Sequence, residues 1–132
     1  MGQKLTVGIT GQGGFMGSHV YNFLGTKNEE IERINFERNY FENEANLQKF
    51  VKSCDVIVHI AAMNRHEDQQ VIYNTNVGLV QKLVSACEAT NSTPKIIFSS
   101  STQEEKDNLY GKSKRDGRQL LETWATKTGG KV

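Results

Sequence analysis

Three glycines at three-residue intervals, Gly11, Gly14 and Gly17, follow directly on the apolar run Leu5-Thr6-Val7-Gly8-Ile9-Thr10. No other stretch constrains the fold as strongly. A short β-branched run halted by glycine reads as a buried strand. Phe15, Met16, Val20, Phe23 and Leu24 then recur at helical spacing as far as Gly25. The chain therefore turns from strand to helix within a few residues. Gly11 can take the positive φ of a tight turn. Gly14 lets a diphosphate approach backbone N–H groups at the helix start, and Gly17 lets the helix pack closely on the strand. A glycine triplet means little by itself; its place at a strand–helix junction gives it weight. The candidate dinucleotide site is Gly11, Gly14, Phe15, Met16 and Gly17.

The rest of the chain repeats the alternation. Ile31 to Phe36 reads as a second strand and residues 43–53 as a short helix. Val56 to Ile60 is a third strand, and residues 70–91 form a long helix with Val71, Val77, Val80, Leu83, Val84 and Cys87 inward. After Pro94, Lys95 to Ser99 is a fourth strand. A last helix from Tyr110 to Thr128 buries Leu120, Leu121, Trp124 and Ala125. Strands alternating with helices predict an α/β fold, a doubly wound parallel sheet with right-handed crossovers and helices on both faces, in the strand order 3-2-1-4. The 132 residues suffice for one domain. Gly129-Gly130 ends the last helix, and Lys131-Val132 reads as the start of a fifth strand. The expectation is a partial nucleotide-binding domain over residues 1–132, truncated after its fourth helix, with a substrate-binding region absent.

Composition removes several classes. Lys+Arg 16 against Asp+Glu 15 argues against nucleic-acid binding by bulk charge. No apolar run approaches the roughly 18 residues a membrane span needs. Cys54 and Cys87 lack metal-ligand spacing and read as small core residues. With no secretory h-region at the amino end, they suggest a reducing, cytoplasmic setting. An uncovered edge beside the fourth strand favours self-association, so a homo-oligomer is expected.

Three further segments carry chemistry. An acidic residue about 20 positions beyond the glycines would bind a ribose 2′-hydroxyl, and an arginine would accept a 2′-phosphate. Glu37 and Arg38 stand there together, so the sequence gives both signals; the fork of Arg38 tilts the choice towards NADPH. Ala61-Ala62 ends the third strand in small residues that admit a nucleotide to the crevice, while His59 reads as a packed histidine. Tyr110 and Lys114 lie one helical turn apart on a shared face. A free phenol, with pKa near 10, exchanges protons poorly at neutral pH, and an adjacent ammonium favours its ionised form. Such a pair can protonate a carbonyl oxygen as it is reduced. Ser99-Ser100-Ser101 supplies a hydroxyl partner at the end of the fourth strand.

The ordered set Thr10-Gly11…Gly14…Gly17, His59-Ile60-Ala61-Ala62, Asn76-Val77, Phe98-Ser99-Ser100-Ser101 and Tyr110…Lys114 resembles the extended short-chain dehydrogenase/reductases, Rossmann-fold enzymes of nucleotide sugars within the epimerase/dehydratase superfamily. Asn64-Arg65-His66-Glu67 and Ser101-Thr102-Gln103…Asp107-Asn108-Leu109-Tyr110 look most like the reductase domain of capsular polysaccharide enzymes that make the N-acetyl-L-fucosamine precursor. That resemblance implies NADP(H), with NAD(H) as the alternative, and reduction of a UDP-linked 4-keto amino sugar, with no nucleic-acid or membrane partner. It implies Tyr110 as general acid, Lys114 on the nicotinamide ribose, Ser101 on the substrate carbonyl and Asn76 steadying the lysine and the cofactor end. Nine positions from Ser101 to Tyr110 is a short separation that fits the capsular subgroup better than the epimerases and dehydratases. Without a substrate lobe the chain alone is expected to be weak or inactive. The competing reading is a dinucleotide-binding module without turnover.

Overall fold

A computed structural model describes residues 3–132. Four strands, β1 (Leu5–Thr10), β2 (Ile31–Ile34), β3 (Val56–His59) and β4 (Lys95–Phe98), form one parallel sheet. Four helices follow them in turn: α1 (Phe15–Gly25), α2 (Glu44–Ser53), α3 (Gln69–Thr90) and α4 (Leu109–Thr128). Two 3-10 turns, Arg38–Glu42 and Thr102–Glu105, stand in segments without apolar periodicity.

The sheet order is β2-β1-β3-β4, not the 3-2-1-4 that the alternation alone suggests. Burial explains the difference. β2 presents exposed Glu32 and Arg33 and serves as an edge, whereas β3 is apolar on both faces and carries the fully buried Ile57. Pairing β3 on the outside of β2 would leave it as the edge strand; pairing it with β1 puts it between two neighbours. The chain thus reverses direction across β1, and the point of reversal lies between β1 and β3. Ligands of open α/β sheets bind in the crevice at the carboxyl ends of strands where such a reversal occurs.

Pleating sorts the side chains. Gly8, Ile57 and Ile96 pair across three strands and face α2, α3 and α4, where Val51, Leu83, Cys87, Leu121 and Trp124 complete the core. Val7 and Ile9 are buried on the opposite face, which carries α1. Asn43, Asp68 and Asn108 cap α2, α3 and α4 through their side chains, each accepting from a backbone N–H of the first turn. Asn91 and Gly129 close α3 and α4 in the left-handed conformation. Beyond α4, Lys131 makes a single parallel bridge to Lys95 on the outer edge of β4, so the direction expected of a fifth strand is present for one residue.

Gly8 is a packing requirement. A Cβ there would lie 2.4 Å from the Phe50 ring and 2.6 Å from Cys54 Sγ. Gly8→Ala should therefore destabilise the fold by about 1–3 kcal/mol, the usual cost of overpacking. A urea titration of Gly8→Ala in the parent and in a Phe50→Leu background checks this. The smaller side chain should restore part of the loss, and equal losses in both backgrounds would contradict the assigned contact.

Candidate functional site

The carboxyl ends of β1 and β3 are joined by one hydroxyl. Thr10 Oγ1 accepts the backbone N–H groups of Ile60 and Ala61, each at 3.1 Å, and lies 2.7 Å from His59 Nδ1. With both lone pairs engaged, the hydroxyl proton is directed to Nδ1, which fixes the imidazole as the neutral tautomer protonated at Nε2. His59 is buried, stacks on Phe98 and is edged by Phe41. Burial, with the nearby Lys114 charge adding to it, pushes its pKa down to about 3. A packed, neutral histidine is what the sequence suggested.

The glycine turn rises directly from Thr10. Gly11 has φ +77°, and a Cβ on it would meet the Ala61 backbone nitrogen at 3.1 Å. A Cβ on Gly17 would fall 1.8 Å from the Gly11 carbonyl oxygen, so helix and turn touch there as backbone on backbone. Gly14 is the N-cap of α1, and no side chain caps this helix among the described residues, in contrast to α2, α3 and α4. Phe15 and Met16 in its first turn are exposed.

Two residues that sequence reasoning missed join the glycine turn to the end of β2. Gln12 donates from Nε2 to Asn35 Oδ1 at 3.1 Å and accepts the Phe36 N–H at 3.0 Å. Its side chain therefore ties the turn to the end of β2. β2 stops at Ile34, two residues earlier than expected, so Asn35, a neutral side chain, is the first residue beyond the strand. Glu37 and Arg38 follow at the start of the 38–42 turn, and both are exposed. A more conservative strand end would have drawn attention to Asn35; nothing local could have paired Gln12 with it.

The three serines have three different occupations. The Ser99 carbonyl accepts Lys114 Nζ at 2.9 Å. The Ser100 hydroxyl is bonded to the Glu104 carboxylate. Ser101 caps the 102–105 turn, its Oγ accepting the Gln103 N–H at 3.1 Å. That leaves the Ser101 hydroxyl proton free to be donated. Lys114 is buried, its ammonium 5.2 Å from the Phe98 ring centroid, and burial lowers its pKa. Of its three N–H donors, one is used among the described residues. Tyr110 lies one turn earlier on α4, half-buried, and its carbonyl accepts the Ser113 hydroxyl at 2.6 Å.

Asn76 connects three segments. Its side chain exchanges two hydrogen bonds with the Met63 backbone, at 2.6 and 2.8 Å, and donates to Ser113 Oγ at 3.0 Å. It thereby fastens the loop after β3, which carries Ala61 and Ala62, to the helix carrying Tyr110 and Lys114. Its contact with the lysine runs through the neighbouring Ser113. Gly111 permits the closest approach: a Cβ there would lie 1.8 Å from the Gln103 carbonyl oxygen.

The family model for the NAD dependent epimerase/dehydratase family matches residues 7–130. A curated relative, the UDP-2-acetamido-2,6-beta-L-arabino-hexul-4-ose reductase of Pseudomonas aeruginosa, is 32% identical over 114 residues, covering 86% of this chain and 30% of its own length. The chain is similar in fold to RMD from Pseudomonas aeruginosa complexed with NADPH, with TM-score 0.84, 17% identity, and coverage of 96% of this chain and 50% of that one. It is likewise similar to the UDP-glucuronic acid 4-epimerase of Bacillus cereus in complex with NAD, with TM-score 0.77, 21% identity, and coverage of 97% and 54%. The chain thus spans about a third of the curated relative and about half of these solved chains. No helix among the described residues is long and apolar enough to cross a membrane.

The state of His59 can be read directly. Its pKa is depressed in the fold, so above pH 6.5, the unfolded value, both states are neutral and its contribution is constant. As pH falls from 6.5 towards 3, only the unfolded chain takes up this proton, and stability declines with it, at up to about 1.4 kcal/mol per pH unit. In an NMR titration the His59 ring resonances should stay flat from about pH 8 to pH 5. An inflection near 6.5 would show that the ring is not held neutral by burial.

Proposed function

The chain belongs to the NAD dependent epimerase/dehydratase family, and from that premise we propose that it serves an NAD(P)-dependent reduction of the keto group of a UDP-linked 4-keto amino sugar. What supports this reading most is that Ser101 lies on the segment after β4, against which the helix carrying Tyr110 and Lys114 is docked through the Lys114–Ser99 and Gly111–Gln103 contacts. Ser101 has a hydroxyl proton to give, and Lys114 is anchored to the Ser99 carbonyl with donors to spare. The 32% identical relative is itself named a UDP-sugar reductase. We further propose that residues 1–132 are the nucleotide-binding part of such an enzyme, in a cytoplasmic pathway towards capsular or surface polysaccharide.

The residues present fit a dinucleotide. The start of α1 offers backbone N–H groups without a side-chain cap, over a turn whose glycines leave the backbone bare. Across the crevice, the free N–H donors of Lys114 suit vicinal ribose hydroxyls. Bound there, the reduced nicotinamide supplies the hydride. The protein's own residues do the rest. Ser101 donates a hydrogen bond to the substrate carbonyl oxygen and polarises it. Tyr110 transfers its phenolic proton to that oxygen as the carbonyl carbon is reduced, and recovers a proton from solvent. Lys114 orients the ribose and supplies positive charge beside the phenol. Asn76 holds the helix and the loop after β3 in register, so that the alanines and the catalytic helix face each other across the crevice.

Cofactor choice follows from the end of β2. Asn35 brings no carboxylate to repel a 2′-phosphate, and Arg38 is exposed three residues on. NADPH is the preferred donor in this reading, and Arg38→Ala should shift the NADPH/NADH preference towards NADH. An unchanged preference in binding titrations would remove Arg38 from the phosphate site.

The decisive test uses the protein as its gene encodes it. Single-turnover hydride transfer from NADPH to a UDP-4-keto amino sugar should fall by about 10²–10⁴-fold in Tyr110→Phe, the usual share of general acid–base catalysis, with cofactor affinity retained. Lys114→Ala should lose both rate and cofactor affinity. A Tyr110→Phe variant as fast as its parent would overturn the catalytic assignment and favour a binding module without turnover.

A further inference from the structure

We propose that Arg118 is a positioning residue for Ser101, acting through Glu104 as a latch between the 102–105 turn and the catalytic helix. The inference rests on the reduction proposed above for what Ser101 does, but the latch itself stands on geometry. Tyr110, Lys114 and Arg118 follow one another at four-residue intervals and share one stripe of α4. Each of the two cations on this stripe reaches across to the segment after β4. Lys114 takes the Ser99 carbonyl. Arg118 takes Glu104 with a fork: Nε lies 3.1 and 3.2 Å from the two carboxylate oxygens, and Nη2 lies 2.9 Å from Oε1. The third guanidinium nitrogen is held by Glu122 at 2.8 Å, so the fork is fixed from behind.

Glu104 is in turn bound to Ser100 and Ser101. Its carboxylate accepts the Ser100 hydroxyl, and its backbone N–H donates to the Ser101 carbonyl at 3.2 Å. Ser101 Oγ accepts the Gln103 N–H in the same turn. The direction in which Ser101 presents its proton is therefore set by the docking of this turn on α4. At one end that docking is the backbone contact of Gly111 with Gln103; at the other it is the Arg118 fork. Arg118, with Ser100 assisting, holds the Glu104 carboxyl below its ordinary value. The Glu104 side chain is 16% exposed and that of Arg118 36%, so the pair is partly shielded, and its two-pronged geometry is the kind that survives solvent screening.

Removing the guanidinium leaves the Glu104 carboxylate half-buried without its cation and frees the turn. A catalytic group displaced by about 1 Å can cost on the order of 10²-fold in rate. In the protein as its gene encodes it, Arg118→Met should lower kcat for hydride transfer at least tenfold with KM for NADPH unchanged, and Arg118→Lys should recover part of the loss. In a Ser101→Ala background the same change should have little further effect, because the group being positioned is gone. A merely structural role would give the same fold-loss in both backgrounds. That result, or an unchanged kcat in Arg118→Met, would overturn the proposal. Glu104→Gln, which keeps the shape and removes the charge, provides a second variant should Arg118→Met fail to fold, and is read against the same two outcomes. Hydrogen exchange at the Gln103 amide separates this proposal from the assigned reaction. If the parent protein transfers no hydride, the reductase reading fails, while the latch still requires faster Gln103 exchange in Arg118→Met; unchanged exchange would overturn it.

Discussion

The Thr10 hydroxyl is the point on which the site depends. It takes two backbone N–H groups from the end of β3 and gives its proton to His59, which sits opposite it in the strand register. A side chain with one donor and two acceptor sites is fully used in this position. Its effect is to hold the backbone after β3 beside the turn after β1, where a Cβ on Gly11 would press against the Ala61 backbone. Valine, nearly the same shape, would leave a buried imidazole nitrogen unpaired, at a cost of about 1–3 kcal/mol, together with two part-buried backbone N–H groups. Four residues earlier, Thr6 makes the corresponding bonds at the other end of the strand. It exchanges two hydrogen bonds with Asp55, both at 2.9 Å, and the Thr6 backbone N–H on the carboxylate, with the Thr6 side chain assisting, holds the Asp55 carboxyl below its ordinary value. The β1–β3 pair is thus fastened at both ends by threonine.

From Thr10 a row of side chains crosses the sheet: Thr10, His59 and Phe98 are register partners, and Lys114 lies over Phe98. The row explains why a buried lysine and a buried histidine can be neighbours. His59 accepts a hydrogen bond from the Thr10 hydroxyl and remains neutral, so Lys114 faces an aromatic ring and a carbonyl with no charged imidazole beside it. A charged His59 would act against the ammonium, and the Lys114 charge adds to burial in holding His59 neutral. The sheet end is therefore arranged so that one positive charge stands at the crevice, with a polarisable ring beneath it.

The segment after β4 solves a different problem. Eight residues lie between Ser101, on a loop, and Tyr110, on a helix. A 3-10 turn, capped by Ser101 at one end and docked on Gly111 and Arg118, uses half of those residues and leaves little freedom. Asn108 both caps α4 and donates to the Gln103 side chain at 3.0 Å, so the loop and the helix start are one unit. Short separation and tight docking go together here: a loose loop of this length would lose more entropy on ordering than it gains in contacts, unless most of its polar groups are paired.

By itself the sequence determined the elements and their order. Alternating short apolar runs and helical stripes, glycine at the first strand–helix junction, and Tyr110 and Lys114 one turn apart are local patterns, and local periodicity is what a chain writes in its sequence. The identity of the three serines as a cluster was legible in the same way. Tertiary structure alone decided which edge of β1 receives β3, because that is a competition between burying apolar β3 and leaving polar β2 outside. It also decided that Gln12 reaches Asn35, that the three serines have three separate partners, and that Arg118 grips Glu104. Each of these contacts joins residues between two and twenty-three positions apart whose meeting is set by turn conformation and helix docking. A side chain's hydrogen-bonding capacity can be read from its letter, but the partner that uses it is chosen by the fold.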